Sequence, residues 1–299
     1  MLELFILFEF FKNILNLNYT NVDINLAKTE KTISYEEFNQ SFKQNKNKEQ
    51  LNLIEIDFSK ISAKNILIKE IGGETLIEKN ADTIKPIASL TKLISAVVAL
   101  TNYNDQDEFL IKEIFLKNND AEKNSKFKEN EKYNLKELIN IMLISSSNIS
   151  AWALADKMKN NNFIEKMNET AKRYGALNTK FVEPSGISDN NISNLKDLYL
   201  ITQNILKEYP EIFEISIKSD YLVKKYKNIR IIYNTNYLLQ KYKNIILGSK
   251  TGFTDKAGQC LILLVKYPKS PLIFLGLLDS KNRIKDAEYL LEELKKLYE

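Results

Sequence analysis

The pattern of apolar residues in the first third of the chain predicts strands followed by a buried helix. Two apolar runs, at 65–71 and 74–78, flank Gly72-Gly73 and indicate a β-hairpin, since glycine tolerates the backbone angles of a tight turn. Residues 89–100 are apolar on nearly every side, which predicts a helix buried on all faces. The folded core is therefore expected to begin close to Ser62.

Helices dominate the middle of the chain, and strands return near its end. Residues 105–210 read mainly as helices with polar loops. Runs at 257–267 and 271–278 are rich in Leu, Ile, Val and Phe and predict strands, and an amphipathic helix is expected at 283–297. This order predicts an α+β fold, in which an antiparallel sheet pairs its first strands with its last and a mostly helical lobe lies between them.

The first 60 residues do not continue this pattern. Residues 1–18 are apolar but contain three charged side chains, and they are short for a membrane-spanning helix, which needs about 20 apolar residues. They also lack the basic start and cleavage site of a signal peptide. A poor signal anchor, a truncated anchor and a packed amphipathic helix all remain open. Residues 19–60 predict a polar spacer, which leaves 61–299 for the folded domain.

Composition narrows the possible chemistry. The chain of 299 residues has no His and one Cys, Cys260, so a Ser-His-Asp triad, a Cys-His pair, a His-based metal site and an internal disulfide are all excluded. We therefore expect no metal and no cofactor, and proton transfer has to use Lys, Asp, Glu, Tyr or water. The net charge of +4 is small for this length and gives no support for nucleic-acid binding.

A serine nucleophile in a chain without His needs another base, and a lysine three residues later on a helix can reach the hydroxyl. Ser89 and Lys92 have this spacing, as do two other pairs in polar, charged stretches. Only Ser89 opens a buried apolar helix, where Lys92 would be partly desolvated, as a neutral base requires. The spacing alone is a weak signal, because chance produces similar pairs.

Two further polar motifs lie in places that suit a binding cleft. Lys250-Thr251-Gly252 leads into the strands near the end of the chain, where Lys250 and Thr251 offer a cation and a hydroxyl to a carboxylate. Gly252 allows a substrate backbone to approach the strand closely. Ser146-Ser147-Asn148 ends a predicted helix of the lobe, and taken alone it needs no explanation beyond a polar helix terminus.

Together and in this order, the three motifs resemble the Ser-x-x-Lys, Ser-x-Asn and Lys-Thr-Gly set of penicillin-binding proteins and serine β-lactamases. The similarity is closer to the low-molecular-weight serine D-alanyl-D-alanine carboxypeptidases (peptidase family S11) and their endopeptidase relatives, and it runs from about Lys64 to Leu291. It includes residues 86–92, 146–148, 153–156, 167–168, 175, 178–179, 181, 184–186, 234–236, 238–239 and 248–258. The resemblance implies a β-lactamase/transpeptidase-like α/β sandwich with an antiparallel sheet of about five strands.

The resemblance also implies a role for each catalytic residue. Ser89 would attack the penultimate D-Ala carbonyl and form an acyl-enzyme, and Lys92 would take its proton. Ser146 would relay a proton to the leaving D-Ala amine. Asn148 would hold either the substrate amide or Lys92.

The same resemblance implies the substrate-binding residues. Lys250 and Thr251 would bind the terminal carboxylate, and the backbone N–H groups of Ser89 and Phe253 would form the oxyanion hole. Phe253 stands where relatives often carry a polar side chain, so only its backbone donor is kept. Arg283 falls where the family often has an Arg that contacts the carboxylate, and a solvated surface cation is the alternative interpretation.

The implied substrates are peptidoglycan stem peptides in the cell envelope, and the implied covalent inhibitors are β-lactam antibiotics. A D,D-endopeptidase that cuts cross-links shares every motif. A serine β-lactamase needs a deacylation base, for which Glu183 is the candidate, although 183–186 resembles the carboxypeptidase pattern. A non-catalytic binding protein is disfavoured because Ser89 and Lys92 are both present. Any membrane attachment is expected at the N-terminus.

Overall fold

The computed structural model describes residues 56–117, 127–158, 162–225 and 228–298. Segment 1–18 and nearly all of the predicted spacer 19–60 lie outside these ranges, so their interpretations remain predictions. No helix within the described ranges combines the length and the apolar character that crossing a membrane requires.

Strands and helices are interspersed along the described chain. The strands are β1 (Asn65–Glu70), β2 (Thr75–Lys79), β3 (Lys85–Pro86), β4 (Glu108–Leu110), β5 (Lys132–Asn134), β6 (Ile192–Ser193), β7 (Asp220–Lys225), β8 (Asn228–Tyr233), β9 (Ile246–Thr254), β10 (Gly258–Val265) and β11 (Ile273–Ser280). The helices are α1 (Lys92–Asn102), α2 (Glu113–Lys117), α3 (Leu135–Ile144), α4 (Asn148–Asp156), α5 (Asn162–Arg173), α6 (Leu195–Glu208), α7 (Glu211–Ser216), α8 (Leu238–Lys241) and α9 (Arg283–Tyr298). Short 3-10 turns occupy Phe58–Lys60 and Ala88–Thr91.

Five strands form one antiparallel sheet in the order β2-β1-β11-β10-β9. β1 pairs with β11, with Leu67 opposite Gly276, so the first strands of the domain pair with its last. The predicted fold class, an antiparallel sheet of five strands flanked by helices, is confirmed. β9, which carries Lys250, Thr251 and Gly252, is an edge strand of this sheet.

Both faces of the sheet are buried. On β1, Ile66 and Ile68 lie in one core with Leu290 and Leu294 of α9, whereas Leu67 lies in the second core with the helices of the lobe. Successive strand residues point to opposite faces, so a sheet covered on both sides gives a continuous apolar run instead of an alternating pattern. This burial explains why the strands are so apolar in sequence.

The lobe contains strands as well as helices. β4, β5 and β6 lie within 105–210, and three-residue or two-residue strands are too short to show an alternating pattern in sequence. The sequence also gave no assignment for the segment before β9, where the structure has α7, the β7–β8 hairpin and α8. The hairpin packs against α3 and buries Val223.

Candidate active site

Ser89 lies in the 3-10 turn Ala88–Thr91, directly before α1. The sequence predicted one helix over 89–100, whereas the structure has a 3-10 turn that ends at Thr91 and an α-helix that follows it. Ala88, directly before Ser89, has a φ of 47°, and such a left-handed residue ends the right-handed conformation at this point. Lys92 is the first residue of α1. The Ser-x-x-Lys spacing therefore spans a turn and a helix start instead of lying along one helix.

Two glycines enclose this turn. A Cβ on Gly186, which has a φ of +83°, would lie 2.0 Å from the carbonyl oxygen of Ala88. A Cβ on Gly252 would lie 3.0 Å from the amide nitrogen of Ser89. Both segments can therefore approach the backbone of the turn only because they lack side chains at these positions.

Lys92 is completely buried within hydrogen-bond distance of the predicted nucleophile. Its Nζ lies 2.8 Å from Ser89 Oγ and 2.7 Å from Asn148 Oδ1, and it also donates to the backbone carbonyl of Ser185. A buried amine is costly unless it is hydrogen-bonded, and these contacts fix its position. The structure thus brings together three residues that the sequence separates into two motifs.

The break between α3 and α4 presents the second motif to the same cleft. Ser146 lies in this break with a φ of 61°, and its Oγ is 2.9 Å from Lys250 Nζ. Ser147 caps α4 by accepting a hydrogen bond from the Ser150 amide at 3.1 Å. Asn148 is the first residue of α4, so its side chain leaves the helix at the end that faces Lys92.

Lys250 brings a second buried amine to the cleft from β9. Its Nζ donates to Ser146 Oγ and to the Thr251 carbonyl, each at 2.9 Å. Burial holds the pKa of Lys250 well below its ordinary value, and the positive charges of Lys92 and Arg283 lower this pKa further. The cleft therefore holds two amines beside the Arg283 guanidinium, a set of groups that can bind an anionic ligand.

Segment 234–236 connects β9 with the lobe, although the sequence suggested no role for it beyond the resemblance. Thr235 Oγ1 lies 2.6 Å from Thr251 Oγ1, and the Thr235 amide donates to the Ile144 carbonyl at 3.2 Å. Asn236 Nδ2 donates to Ser249 Oγ at 2.7 Å. Thr235 is therefore a further polar residue of the cleft, and its signal in the sequence is a hydroxyl between two amides, Asn-Thr-Asn.

Glu183 organises the turn that reaches Lys92. Its Oε2 accepts hydrogen bonds from the Ser185 amide at 2.7 Å and the Ser185 hydroxyl at 2.5 Å. Its Oε1 accepts from the Gly186 amide at 2.5 Å and from Asn191 Nδ2 at 2.8 Å. Both carboxylate oxygens thus shape the backbone that directs the Ser185 carbonyl to Lys92, a role that the sequence did not reveal.

Arg283 and Phe253 lie at the Lys-Thr-Gly segment. Arg283 begins α9, and its Nη1 donates to the Gly252 carbonyl at 2.9 Å. Burial lowers the pKa of the guanidinium, and its Nε is buried without a hydrogen-bond partner among the described residues. Phe253, the next residue of β9, exposes 58% of its surface. Both residues therefore lie at the Lys-Thr-Gly segment, and their roles toward a substrate remain predictions.

Two other kinds of functional group are a cysteine nucleophile and a metal site. Cys260 is fully buried, and burial raises the pKa of its thiol to about 12, so the nucleophilic thiolate is suppressed. In the ranges that the structure describes, no group of three or more Cys, Asp or Glu side chains is placed to hold a metal ion.

A serine within hydrogen-bond distance of a buried lysine, on an antiparallel sheet with a helical lobe, is typical of the penicillin-binding enzymes. The family model for D-alanyl-D-alanine carboxypeptidase, peptidase family S11, matches residues 46–280, and the chain belongs to this family. The protein is therefore a serine peptidase of the D-alanyl-D-alanine carboxypeptidase type, and enzymes of this family act in the cell envelope.

Curated relatives include both endopeptidases and carboxypeptidases. The D-alanyl-D-alanine endopeptidase of Pseudomonas aeruginosa is 31% identical over 73% of this chain and 72% of that enzyme. The endopeptidase of Escherichia coli K12 is 32% identical over 71% of this chain and 70% of that enzyme. The carboxypeptidase DacA of Haemophilus influenzae is 29% identical over 66% of this chain and 51% of that enzyme.

Solved structures show the same architecture. The Streptomyces K15 DD-transpeptidase superposes with a TM-score of 0.70 at 26% identity, over 79% of this chain and 97% of that one. The Listeria monocytogenes penicillin-binding protein D2, in its cefotaxime-bound form, superposes with a TM-score of 0.65 at 26% identity, again over 79% of this chain and 97% of that one. These similarities support the transpeptidase-like fold.

Proposed function

We propose that this protein is a D,D-carboxypeptidase that removes the terminal D-alanine from peptidoglycan stem peptides. Ser89 Oγ attacks the penultimate D-alanine carbonyl, D-alanine leaves, and water hydrolyses the resulting ester to regenerate the serine. The observation that carries this proposal is the 2.8 Å contact between Ser89 Oγ and the buried Lys92 Nζ. Hydrogen-bond reach to a buried base is the first requirement for activating a serine.

Lys92 acts as the base in its neutral form. A neutral amine has two N–H bonds and one lone pair. In that form Lys92 can donate to Asn148 Oδ1 and the Ser185 carbonyl, and its lone pair can take the proton of Ser89 Oγ, which lies 2.8 Å from Nζ. Asn148 and Ser185 are therefore positioning groups, because they aim the lone pair at the nucleophile.

Ser146 and Lys250 protonate the leaving group. Ser146 Oγ lies 2.9 Å from Lys250 Nζ, so it can pass a proton to the departing amine and recover one from the cleft. The substrate carboxylate binds beside Lys250 and Thr251, where it offsets the positive charge that lowers the Lys250 pKa. Release of D-alanine removes that carboxylate from the site.

The backbone amides of Ser89 and Phe253 form the oxyanion hole. The close approach of Gly252 to the Ser89 amide brings the two peptide groups side by side at the edge of the sheet. Arg283 supports this edge through its hydrogen bond to the Gly252 carbonyl, and we propose that it also adds to the field that holds the substrate carboxylate.

Labelled penicillin tests the nucleophile directly. Wild type should be acylated at Ser89, whereas Ser89→Ala and Lys92→Ala should lose both labelling and D-alanine release. Ser193→Ala is the matched control, because Ser193 has the same spacing to Lys196, but that lysine pairs with Glu78 at 2.8 Å. Covalent labelling of Ser89→Ala would refute the assignment of Ser89.

A D,D-endopeptidase is the second candidate, because relatives with that activity match this chain over a larger share of their own length than the carboxypeptidases do. The two reactions use the same acyl-enzyme and differ in the leaving group. Incubation with pentapeptide and with cross-linked muropeptides, read by mass, separates them. Release of D-alanine alone supports the carboxypeptidase, and cleavage of cross-links supports the endopeptidase.

A β-lactamase activity is not supported by the structure of the 183–186 turn. Glu183 would have to activate the deacylating water, but both of its oxygens already accept hydrogen bonds from Ser185, Gly186 and Asn191. We therefore expect the penicilloyl ester to persist. The substrate also implies that the protein works outside the cytoplasm, with residues 1–18 as the proposed means of export or attachment.

A further inference from the structure

The polar segment 234–236 holds a single hydroxyl against the Lys-Thr-Gly strand. Asn234 Nδ2 donates to two backbone carbonyls of the preceding segment, each at 2.8 Å, and Asn236 Nδ2 donates to Ser249 Oγ at 2.7 Å. Asn234 Oδ1 also accepts a hydrogen bond from the Asn236 amide at 2.9 Å. The two asparagines thus fix the backbone on both sides of Thr235, which leaves the Thr235 hydroxyl as the group that contacts a proposed substrate-binding side chain.

Thr235 joins the two walls of the cleft. Its amide donates to the carbonyl of Ile144, two residues before Ser146, at 3.2 Å. Its Oγ1 lies 2.6 Å from Thr251 Oγ1 on β9. Thr251 is 4% exposed, and within the described ranges its hydroxyl forms no other hydrogen bond. The direction of the Thr251 hydroxyl proton therefore depends on Thr235.

The two hydroxyls can share their protons in two ways. A hydroxyl has one proton, so either Thr235 donates to Thr251 or Thr251 donates to Thr235. If Thr235 donates, the proton of Thr251 is free to point into the cleft. If Thr251 donates, only its lone pairs face the cleft, and a carboxylate there would be repelled. A bound carboxylate therefore requires Thr235 to be the donor of the pair.

Resting on the function proposed above, we infer that Thr235 is a positioning residue that directs the Thr251 proton to the terminal carboxylate of the substrate. Thr235 acts through Thr251 and does not itself contact the substrate. Hydrogen bonds in series polarise one another, so the bond from Thr251 to the carboxylate is stronger than one from an isolated hydroxyl. A terminal carboxamide gains less, because a neutral acceptor makes a weaker hydrogen bond than a carboxylate. Thr235 thereby adds to the preference for a free terminal acid.

Two peptides separate this role from a structural one. They are diacetylated Lys-D-Ala-D-Ala with a free terminal acid and the same peptide with a terminal carboxamide. Thr235→Val removes the hydroxyl but keeps the shape of the side chain and the backbone amide. For the free acid KM should rise about tenfold at unchanged kcat, because the lost interaction serves the ground state and the transition state equally. The carboxamide should show little change.

Two further variants of the same residue sharpen this result. Thr235→Ser keeps the hydroxyl and should restore the wild-type KM for the free acid. Thr235→Ala should give the same difference between the two peptides as Thr235→Val. Saturating labelled penicillin should still acylate Ser89 in each variant, because the nucleophile turn is not altered.

A double variant tests whether Thr235 acts through its neighbour. Thr235→Val combined with Thr251→Val should bind the free acid no more weakly than Thr251→Val alone. The matched control is Thr101→Val, because Thr101 Oγ1 lies 2.7 Å from Tyr209 OH and forms a similar hydroxyl pair at the far end of α1. This variant should keep the wild-type constants for both peptides.

Three results would overturn the role of Thr235. They are an unchanged KM for the free acid in Thr235→Val, an equal rise of KM for both peptides, and an additive loss in the double variant. Failure of wild type to release D-alanine from the free acid would instead count against the function on which this inference rests.

Discussion

Two buried lysines share this cleft, and each has its own serine. Lys92 contacts Ser89, whereas Lys250 contacts Ser146. Attack and leaving-group protonation can therefore use separate hydroxyls, a division of labour that a single histidine performs in other serine hydrolases. A second amine nearby also keeps protons off the first, because like charges in a buried site disfavour each other.

The lowered pKa of Lys250 predicts a pH dependence of stability. In the unfolded chain this pKa returns to about 10.5, so between the folded value and 10.5 the unfolded state binds more protons. The free energy of unfolding then rises with pH in this window, and the cost of burial is greatest below it. Lys250→Met should abolish this contribution. The slope of the free energy of unfolding against pH should then fall by up to about 1.4 kcal/mol per pH unit.

Urea unfolding at a series of alkaline pH values measures this slope. Lys256→Met, at an exposed position on the turn after β9, is the control and should behave like wild type. If Lys250→Met and wild type show parallel curves up to pH 10.5, the amine is not held in a depressed state by the fold.

The sequence could predict Ser89, Lys92 and Asn148 as candidate site residues, but not the other groups that orient Lys92. Ser89 and Lys92 stand three positions apart, so one local pattern contains both. The Ser185 carbonyl and Glu183 act on Lys92 from a distant segment, through a backbone group that carries no sequence signal. A role that depends on a backbone atom can be assigned only from the folded structure, because every residue type carries the same backbone groups.

Among the local elements, the turn before α1 depends most on its neighbours. Ala88 takes a left-handed conformation that costs alanine about 1–2 kcal/mol, and Gly186 packs directly on its carbonyl. The sequence could indicate that 89–100 is buried, since that follows from composition. It could not indicate the left-handed residue before Ser89, because Gly186 and Gly252 enclose this backbone from segments far along the chain.

Gly186→Ala should therefore damage the nucleophile turn. The new Cβ would meet the Ala88 carbonyl oxygen at 2.0 Å, so the turn must move, and a displacement near 1 Å can cost about a hundredfold in rate. We expect penicillin acylation of the folded protein to slow by about this factor.

Gly175→Ala is the matched control for this prediction. Gly175 has a φ of +81°, close to that of Gly186, but its Cβ would meet only Leu200 Cδ1 at 3.7 Å. It should lose about 1–2 kcal/mol of stability from backbone strain and keep its acylation rate. Equal acylation rates in the two variants would show that the contact with Ala88 is unimportant.

In the described ranges the sheet lies between two cores, and the core that includes the lobe helices contains Ala88 and Leu90 of the nucleophile turn. The core that contains α9 lies on the opposite face from the lobe. The sequence could predict this sheet because its apolar strands stand at both ends of the domain. The β7–β8 hairpin was not predicted, since Leu222 and Ile231 are apolar although exposed, so its sequence does not alternate between apolar and polar residues.

A substitution in the core that contains α9 should lower stability without changing the active site. Leu290 of α9 is fully buried, so Leu290→Ala should lower the free energy of unfolding by about 2–5 kcal/mol. Penicillin labelling of the fraction that remains folded should be unchanged, since Ser89 lies on the other side of the sheet. Leu222→Ala, at a residue that is 44% exposed, should change stability by less than about 0.5 kcal/mol.

The pairing of β1 with β11 also sets the order of events when the domain forms. β1 leaves the ribosome early, and its neighbour in the sheet arrives only after the whole lobe has been synthesised. Such distant pairing makes folding slow, because a long loop must close before the central strands gain any contact. The sheet therefore stays open until β11 has been synthesised, and the cleft forms only when β9, β10 and β11 have joined the first hairpin.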